Sequence, residues 1–187
     1  SMRTCAIIHP LHLELETAML KIKKLIWRLF RAFGALTGDE GFHFVADYKI
    51  LVWKLMLAHP LEEAMSLAVG GDYEVMGQTE AKLLERVGLT NGMRIVDLGC
   101  GSGRLSSVLY QSADVSYVGT DIIPQLLSYA KRKALKYEFI CHRDLSIPQS
   151  NESANIVCAF SLFTHLHQAE TFIYLEECYR ILKPDGL

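Results

Sequence analysis

The stretch over residues 95–105 constrains the fold of this chain more than any other. It reads IVDLGCGSGRL, so that a short apolar run ending in an aspartate is followed by three closely spaced glycines. Glycine permits the unusual backbone angles of a tight turn and removes the Cβ atom that would keep another group away from the backbone. In parallel α/β sheets the ligand lies where the first strand turns into its helix. The stretch therefore predicts a strand, a turn and a helix beside a bound ligand.

The sequence around this stretch alternates between short β-rich runs and helical ones. From Gly71 onward the pattern predicts a helix capped by Thr79 and ending near Gly88, strands at 94–98, 116–120, 137–141 and 155–160, and helices that begin near Arg104, at Pro124 and at Gln168. Alternation of this length implies parallel strands joined by right-handed crossovers. The predicted fold class is α/β, with a mostly parallel sheet and flanking helices.

An all-helical region precedes the α/β region. Apolar residues recur three and four positions apart, and the pattern predicts helices over 17–33, over 44–58 and from Leu61 to the glycine pair at 70–71. We therefore predict two regions, a helical lid or extension over residues 1–70 and a ligand-binding domain over residues 71–187. The first helix carries basic residues and no acidic one. Such a stripe can lie on an anionic membrane, but more often it packs on its own domain or on a twin subunit.

Composition excludes several classes of protein. The 187 residues carry a net charge of -2 and are 50% hydrophobic, so the chain is neither disordered nor generally basic, and nucleic acid is disfavoured as a partner. The five cysteines are scattered without CxxC pairing, which favours a reducing compartment and predicts a cytoplasmic location. The histidine pairs at 9 and 12 and at 165 and 167 lack a third ligand nearby, so no metal site is predicted.

The identity of the ligand is narrowed by two acidic residues and one departure from a known pattern. Asp121 ends the second strand 20 residues after Gly101, where a carboxylate can accept both hydroxyl hydrogens of a ribose. The dinucleotide fingerprint requires glycine or alanine at the position of Arg104, which disfavours a nicotinamide dinucleotide. Asp97 would attract an ammonium group. S-adenosylmethionine has both a ribose and an α-amino group.

Five stretches together resemble the class I, Rossmann-like S-adenosylmethionine-dependent methyltransferases. VDLGCGSGRL resembles the first motif of that family, and YVGTDI, CHRDLSIP, ANIVCAFSLFTHL and CYRILKPDGL follow in the family's order. The resemblance covers about residues 70–187. It implies a Rossmann-like sheet, S-adenosylmethionine as the cofactor, and methyl transfer as the reaction.

The resemblance implies a role for each residue that matches a family motif. Asp97 would serve the methionine end of the cofactor, and the glycine loop over residues 99–103 would line its amino-acid and ribose portions. Asp121 would accept the ribose hydroxyls, and Ile122 would pack against adenine. Asp97 could instead only cap the turn, and Ile122 could belong to the core. The loop residues in this set are Gly99, Cys100, Gly101 and Gly103.

Three further segments would complete the cofactor site. Asp144 matches the position that typically accepts from the adenine amino group, with Leu145 beside it, and Phe160 and Ser161 would face the sulfonium. Tyr73 lies in the segment that crosses the cofactor in similar enzymes and could touch its methionine portion. As alternatives, Asp144 could be a solvated loop carboxylate, Phe160 a core residue, and Tyr73 an aromatic that covers the edge of the core.

The implied reaction is an in-line displacement, in which the enzyme mainly aligns the nucleophile and the methyl group. A hydroxyl or carbon acid acceptor needs a base, and His165 and His167 are the candidates, although FTHL also recurs in similar methyltransferases as a local turn. The Asn/Asp-Pro-Pro-Tyr/Phe motif of enzymes that methylate amino groups is replaced by AFSL. We therefore expect a small-molecule acceptor. A non-catalytic cofactor-binding or interaction module is the alternative, and a dehydrogenase ranks third.

The end of the sequence raises one more expectation. Proteins of this resemblance have seven strands in the order 3-2-1-4-5-7-6, whereas four strands are predicted here, in the order 3-2-1-4. We therefore expect a fragment that lacks the C-terminal strands, with the outer edge of the fourth strand covered by the N-terminal helices or by another copy of the chain. Such a fragment should retain cofactor binding better than it retains catalytic activity.

Overall fold

The computed structural model describes residues 40–187, with side chains from residue 45 onward. The predicted helix over 17–33 lies outside these residues, and so does its basic stripe, for which the sequence favours packing on protein over contact with a membrane. A compact unit runs from Tyr48 to Leu187. It therefore includes part of the region that the sequence assigned to a helical lid or extension, and the lid role stays a prediction.

The described residues form an α/β architecture in the predicted order. The sheet contains four parallel strands arranged β3-β2-β1-β4, which confirms both the fold class and the predicted 3-2-1-4 order. Among these residues no helix combines the length and the apolar character of a membrane span. The elements are α1 (Glu40–Ala58), α2 (Leu61–Val69), α3 (Tyr73–Arg86), β1 (Arg94–Leu98), α4 (Arg104–Ser112), β2 (Ser116–Asp121), α5 (Pro124–Lys133), β3 (Glu138–Cys141), β4 (Ile156–Cys158), a short 3-10 helix (Phe163–His165) and α6 (Gln168–Ile181).

Two predicted boundaries are wrong for identifiable reasons. Helix α3 begins at Tyr73 because Asp72 caps it, with its side chain accepting from the backbone N–H groups of Glu74 and Val75. Thr79, the predicted cap, lies inside the helix and donates its hydroxyl to the carbonyl of Val75. Strand β4 ends at Cys158, two residues early, because its partner β1 turns into the glycine loop just beyond Asp97.

The sheet is covered on both faces, as a parallel sheet requires. One face packs Ile95 and Tyr117 against residues of α3 and α4, including Leu84 and Leu105. The other face packs Val96 and Leu98 against Ile147, Ala154 and Ile181, the last from α6. A third cluster joins α1, α2 and α5 through Val52, Met65, Leu126 and Tyr129. The helices α1 and α2 therefore contribute to the core of the compact unit.

The outer edge of β4 is paired by the chain's own last residues. The N–H of Val157 donates to the carbonyl of Leu187 at 2.7 Å, and the N–H of Leu187 donates to the carbonyl of Asn155 at 3.0 Å. The N–H of Lys183 donates to the carbonyl of Ala154 at 2.9 Å. For residues 154–157 the expected cover by N-terminal helices or a second copy is therefore wrong, because a nearer segment satisfies these groups. Self-association stays a prediction.

The contact between α3 and α4 generates a stability prediction. A Cβ atom on Gly77 would lie 2.5 Å from the carbonyl oxygen of Arg104 and 3.2 Å from Val108 Cγ2. Alanine is favoured over glycine by about 1 kcal/mol inside a helix, but a backbone carbonyl cannot yield as a flexible side chain can. We expect Gly77→Ala to lower the free energy of unfolding by about 1–3 kcal/mol in urea titrations. The exposed neighbour Gln78→Ala should change it by less than about 0.5 kcal/mol, and equal stability of the two variants would refute this contact.

Candidate functional site

The candidate site lies at the carboxyl ends of β1, β2 and β4, where the glycine loop follows β1. The backbone N–H groups of Gly99 and Cys100 both donate to the carbonyl of Thr120, at 2.9 and 3.0 Å. The loop ends at Gly103, whose φ of +83° places it in the left-handed region at the start of α4. Backbone hydrogen bonds to the end of β2 therefore hold the loop in place.

Asp121 connects the loop to the second strand. Its Oδ2 accepts from the N–H of Gly101 at 3.0 Å, and its Oδ1 accepts from the N–H of Ile123 at 2.9 Å. The side chain is buried, and burial raises the pKa of this carboxyl, although the backbone N–H groups oppose the rise. A carboxylate has about four acceptor positions, and the backbone N–H groups use only part of this capacity. The rest can accept from the hydroxyl groups of a ligand.

Asp97 is the second acid at this end of the sheet, and it is enclosed. Its side chain is 3% exposed, and its Oδ2 accepts from the Tyr117 hydroxyl at 2.5 Å. Burial raises the pKa of Asp97 to about 7, mainly because the charged carboxylate is removed from water. The protonation state of this carboxyl therefore changes near neutral pH.

The glycines of the loop are required by contacts within the protein itself. A Cβ atom on Gly99 would lie 3.2 Å from Leu162 Cδ1, and one on Gly101 would lie 2.6 Å from Val69 Cγ1. Both glycines have positive φ angles, +70° and +55°. The sequence suggested that the glycines make room for a ligand, whereas the structure also assigns them protein neighbours from α2 and from the segment after β4.

Tyr73 lies beside the glycine loop, and its predicted contact with the cofactor stays a prediction. Its hydroxyl donates to the carbonyl of Ser102 at 3.0 Å, and its ring meets the edge of Tyr129 with 6.3 Å between centroids. Burial raises the pKa of Tyr73 to about 12, so the hydroxyl stays protonated and remains a donor. Ser102 in turn donates its hydroxyl to the carbonyl of Met65 in α2 at 2.9 Å.

The other predicted cofactor residues lie on the connections that follow β2, β3 and β4. Ile122 is half-buried against the cluster of α1, α2 and α5. Asp144 is exposed, and its carbonyl accepts from the Tyr174 hydroxyl at 3.3 Å; its neighbour Leu145 is 41% exposed. Their role in a site stays a prediction.

The segment after β4 holds the remaining candidates. Phe160 is half-buried against the first face of the sheet, and Ser161 is exposed with a φ of +64°. The carbonyl of Ser161 accepts from the Thr164 hydroxyl at 2.7 Å, which closes the turn into the 3-10 helix. His165 is exposed at the end of that helix. Its catalytic role stays a prediction.

Sequence reasoning missed a buried ion pair beside the loop. Arg104 Nη2 lies 2.6 Å from Oε1 of Glu80, and Arg104 Nε donates to the same oxygen at 2.7 Å. Burial raises the pKa of Glu80, and the Arg104 guanidinium opposes that rise. The available signal was an acid on the helix face that also carries Gly77 and Ala81, together with an arginine directly after the glycine loop. Leu162, which covers Gly99, carried no such signal.

Comparison with known proteins agrees with this arrangement. Residues 95–186 match the family model described as a methyltransferase domain. These residues belong to that family, in its class I, Rossmann-like form. A solved TehB-like SAM-dependent methyltransferase from Corynebacterium glutamicum is 29% identical with a TM-score of 0.52, and the match covers 64% of this chain and 62% of that one.

Two curated relatives of the methyltransferase domain are similar in sequence. The mitochondrial ubiquinone biosynthesis O-methyltransferase of Mus musculus is 30% identical over 105 residues, which cover 51% of this chain and 27% of the relative. The cyclopropane-fatty-acyl-phospholipid synthase of Escherichia coli is 28% identical over 115 residues, which cover 59% of this chain and 29% of the relative. The matched part therefore spans less than a third of either relative.

The raised pKa of Asp97 predicts how the stability of the methyltransferase domain depends on pH. Because the folded-state pKa of about 7 lies above the ordinary value of 3.8, the folded protein holds this proton more tightly than the unfolded chain. The stability that Asp97 contributes should be complete below about pH 4 and should be lost as the pH rises to about 7. As the pH rises through this window, we expect the free energy of unfolding of Asp97→Asn to increase by about 2–4 kcal/mol relative to that of the parent.

Urea unfolding of both proteins at several pH values would measure this difference. Asp121 titrates in the parent and in the variant alike, so its contribution cancels. The Glu80 charge helps to raise the pKa of Asp97, so its interaction with Asp97 is part of the measured difference. A difference that stays constant from pH 4 to pH 7 would show that burial does not hold the proton on Asp97.

Proposed function

We propose that the methyltransferase domain binds S-adenosylmethionine at the carboxyl ends of β1 and β2 and transfers a methyl group to a small-molecule acceptor. The observation that carries this proposal is the Asp121 carboxylate, which is buried, accepts from the N–H groups of Gly101 and Ile123, and retains acceptor capacity for a ligand. That donor and acceptor chemistry fits the two neighbouring hydroxyls of a ribose. Membership of the methyltransferase family supports the choice of cofactor.

The residues that would hold the cofactor extend outward from Asp121. The glycine loop, including Cys100, would line the amino-acid and ribose portions, and Asp97 would act on the ammonium group from beneath the loop. Ile122 would pack on the adenine ring, and Asp144 with Leu145 would meet its amino group. The residues closest to the methionine and sulfonium portions would be Tyr73, Phe160 and Ser161.

The main catalytic task of this domain would be to align the methyl group with the acceptor. The cofactor supplies, when bound, a methyl group on a sulfonium sulfur, which is a good leaving group. The protein's own residues would hold that methyl group and the acceptor nucleophile in line. For a hydroxyl acceptor, we assign the removal of its proton to the His165 imidazole.

A small-molecule acceptor is supported by the relatives and by the charge of the chain. The names of the mouse and Escherichia coli relatives refer to ubiquinone biosynthesis and to a fatty acyl phospholipid product. The net charge of -2 does not favour the phosphate backbone of nucleic acids. A cytoplasmic location, predicted from the unpaired cysteines, belongs to the same proposal.

Cofactor binding can be tested at Asp121. In Asp121→Asn the amide would turn an N–H group toward the N–H of Gly101 or Ile123, and it would present fewer acceptors to a ribose. We expect the affinity for S-adenosylhomocysteine, measured by isothermal titration, to fall by about 1–3 kcal/mol. The exposed Asp114→Asn, at the opposite end of β2, should bind like the parent. Equal affinities in both variants would place the ligand elsewhere.

Catalysis can be tested at His165. With a hydroxyl acceptor, we expect His165→Gln to lower kcat by about a hundredfold or more and to leave the affinity for the cofactor unchanged. His59→Gln, in the connection between α1 and α2, should keep the parent rate. Unchanged turnover in His165→Gln would remove this histidine from the mechanism. Binding without methyl transfer to any of a panel of hydroxyl and amine acceptors would favour the non-catalytic alternative.

A further inference from the structure

The turn between α2 and α3 crosses the glycine loop, and we call residues 69–73 the strap. Two of its residues touch the loop, since Val69 packs on Gly101 and the Tyr73 hydroxyl donates to the carbonyl of Ser102. Between these contacts lie two consecutive glycines with φ angles of +70° and +73°. Both glycines are exposed, and the contacts that hold this part of the strap are local: the Gly70 N–H donates to the Leu67 carbonyl, and Asp72 caps α3.

The side chain of Arg104 connects the strap to the end of the glycine loop. Its Nη1 donates to the carbonyl of Val69 at 3.3 Å and to the carbonyl of Gly70 at 3.2 Å. Its Nε and Nη2 are held by the Glu80 carboxylate, and the two side chains are 11% and 3% exposed. A planar guanidinium can serve a carboxylate on one edge and carbonyl groups on the other, which an ammonium group cannot do in the same geometry.

We propose that Arg104 is a positioning residue that fastens the strap over the glycine loop and thereby holds one wall of the cofactor site closed. Glu80 is its anchor, a buried carboxylate two turns along the helix that the strap leads into. Because Arg104 directly follows Gly103, one side chain ties the strap, α3 and the end of the loop together. The inference rests on the proposed function for the identity of the ligand, but the fastening itself involves only this chain.

If Arg104 had a purely structural role, substitution by lysine would have a different effect. If the guanidinium only neutralised the buried Glu80 charge, any cation at this position would suffice. Arg104→Lys keeps the positive charge beside Glu80 but loses the fork that reaches the two carbonyls. The variant therefore separates charge compensation from control of the strap. Arg94→Lys is the matched control, because Arg94 also bonds side-chain acceptors, Gln149 and Ser116, but at the amino end of β1.

The first measurement uses the protein without ligand. The hydrogen-bonded amides at the strap are those of Gly70, which donates to Leu67, and of residues 74–76, which donate to Asp72. We expect these amides to exchange with deuterium about tenfold faster in Arg104→Lys than in the parent, because the strap that carries Asp72 loses two hydrogen bonds from a charged donor. The amides of the strands in Arg104→Lys should exchange at the parent rate. The amides at the strap in Arg94→Lys should also exchange at the parent rate. A strap that exchanges at the parent rate in Arg104→Lys would overturn the proposal, whatever the ligand of this domain is.

The second measurement uses S-adenosylhomocysteine in stopped-flow binding. We expect Arg104→Lys to release it about tenfold faster, with an association rate within about threefold of the parent, because closure retains a ligand already bound. Parent-like release would overturn the proposal while leaving the proposed function intact. If the parent itself does not bind this ligand, the proposed function fails, and the exchange measurement still decides whether Arg104 fastens the strap.

A second variant covers the case in which Arg104→Lys does not fold. Glu80→Gln keeps the size of the anchor and one acceptor oxygen but removes its charge. We expect the amides of Gly70 and of residues 74–76 to exchange faster in this variant as well. The increase in rate should be smaller than in Arg104→Lys, because the guanidinium retains its own contacts with the two carbonyls. Unchanged strap exchange in Glu80→Gln would contradict its role as the anchor of Arg104.

Discussion

The junction between the glycine loop and the end of β2 determines the geometry of the whole candidate site. The Thr120 carbonyl accepts from Gly99 and Cys100, and the Asp121 carboxylate accepts from Gly101, so the loop is bonded to the neighbouring strand rather than to its own. This junction depends on the parallel register in which Asp97 lies opposite Gly119. A shift of one residue would turn every side chain of β2 to the other face and would move Asp121 away from the loop.

Three buried carboxylates surround this junction, and each is compensated by a different kind of group. Asp97 accepts from a tyrosine hydroxyl, Glu80 pairs with the Arg104 guanidinium, and Asp121 accepts from backbone N–H groups. Burial raises the pKa of all three, but only one of them has a full cation as its partner. The different partners suit different tasks: a carboxyl that titrates near neutral pH, an anchor for a neighbouring arginine, and an acceptor directed at hydroxyl groups.

The family match and the compact unit cover different ranges of residues. The family match begins at residue 95, whereas the compact unit begins at Tyr48 and includes the strap that contacts the glycine loop. The contacts of Val69 and Tyr73 with the loop therefore come from outside the matched segment. A segment outside the family match therefore shapes the site that the matched segment contains.

The alternation of strands and helices, the glycine loop and the position of Asp121 at the end of β2 followed from the sequence alone, because hydrophobic period and turn chemistry are local properties. The strand order was expected from the family resemblance. The sequence misplaced the start of α3, since Asp72 and Thr79 are both capping residues and only the packing of the turn before Tyr73 selects between them. The contacts of Val69 with Gly101, of Leu162 with Gly99, and of Arg104 with Glu80 join residues far apart in the chain. Only the tertiary structure decided them, because no local pattern specifies which distant side chain will fill the space above a glycine.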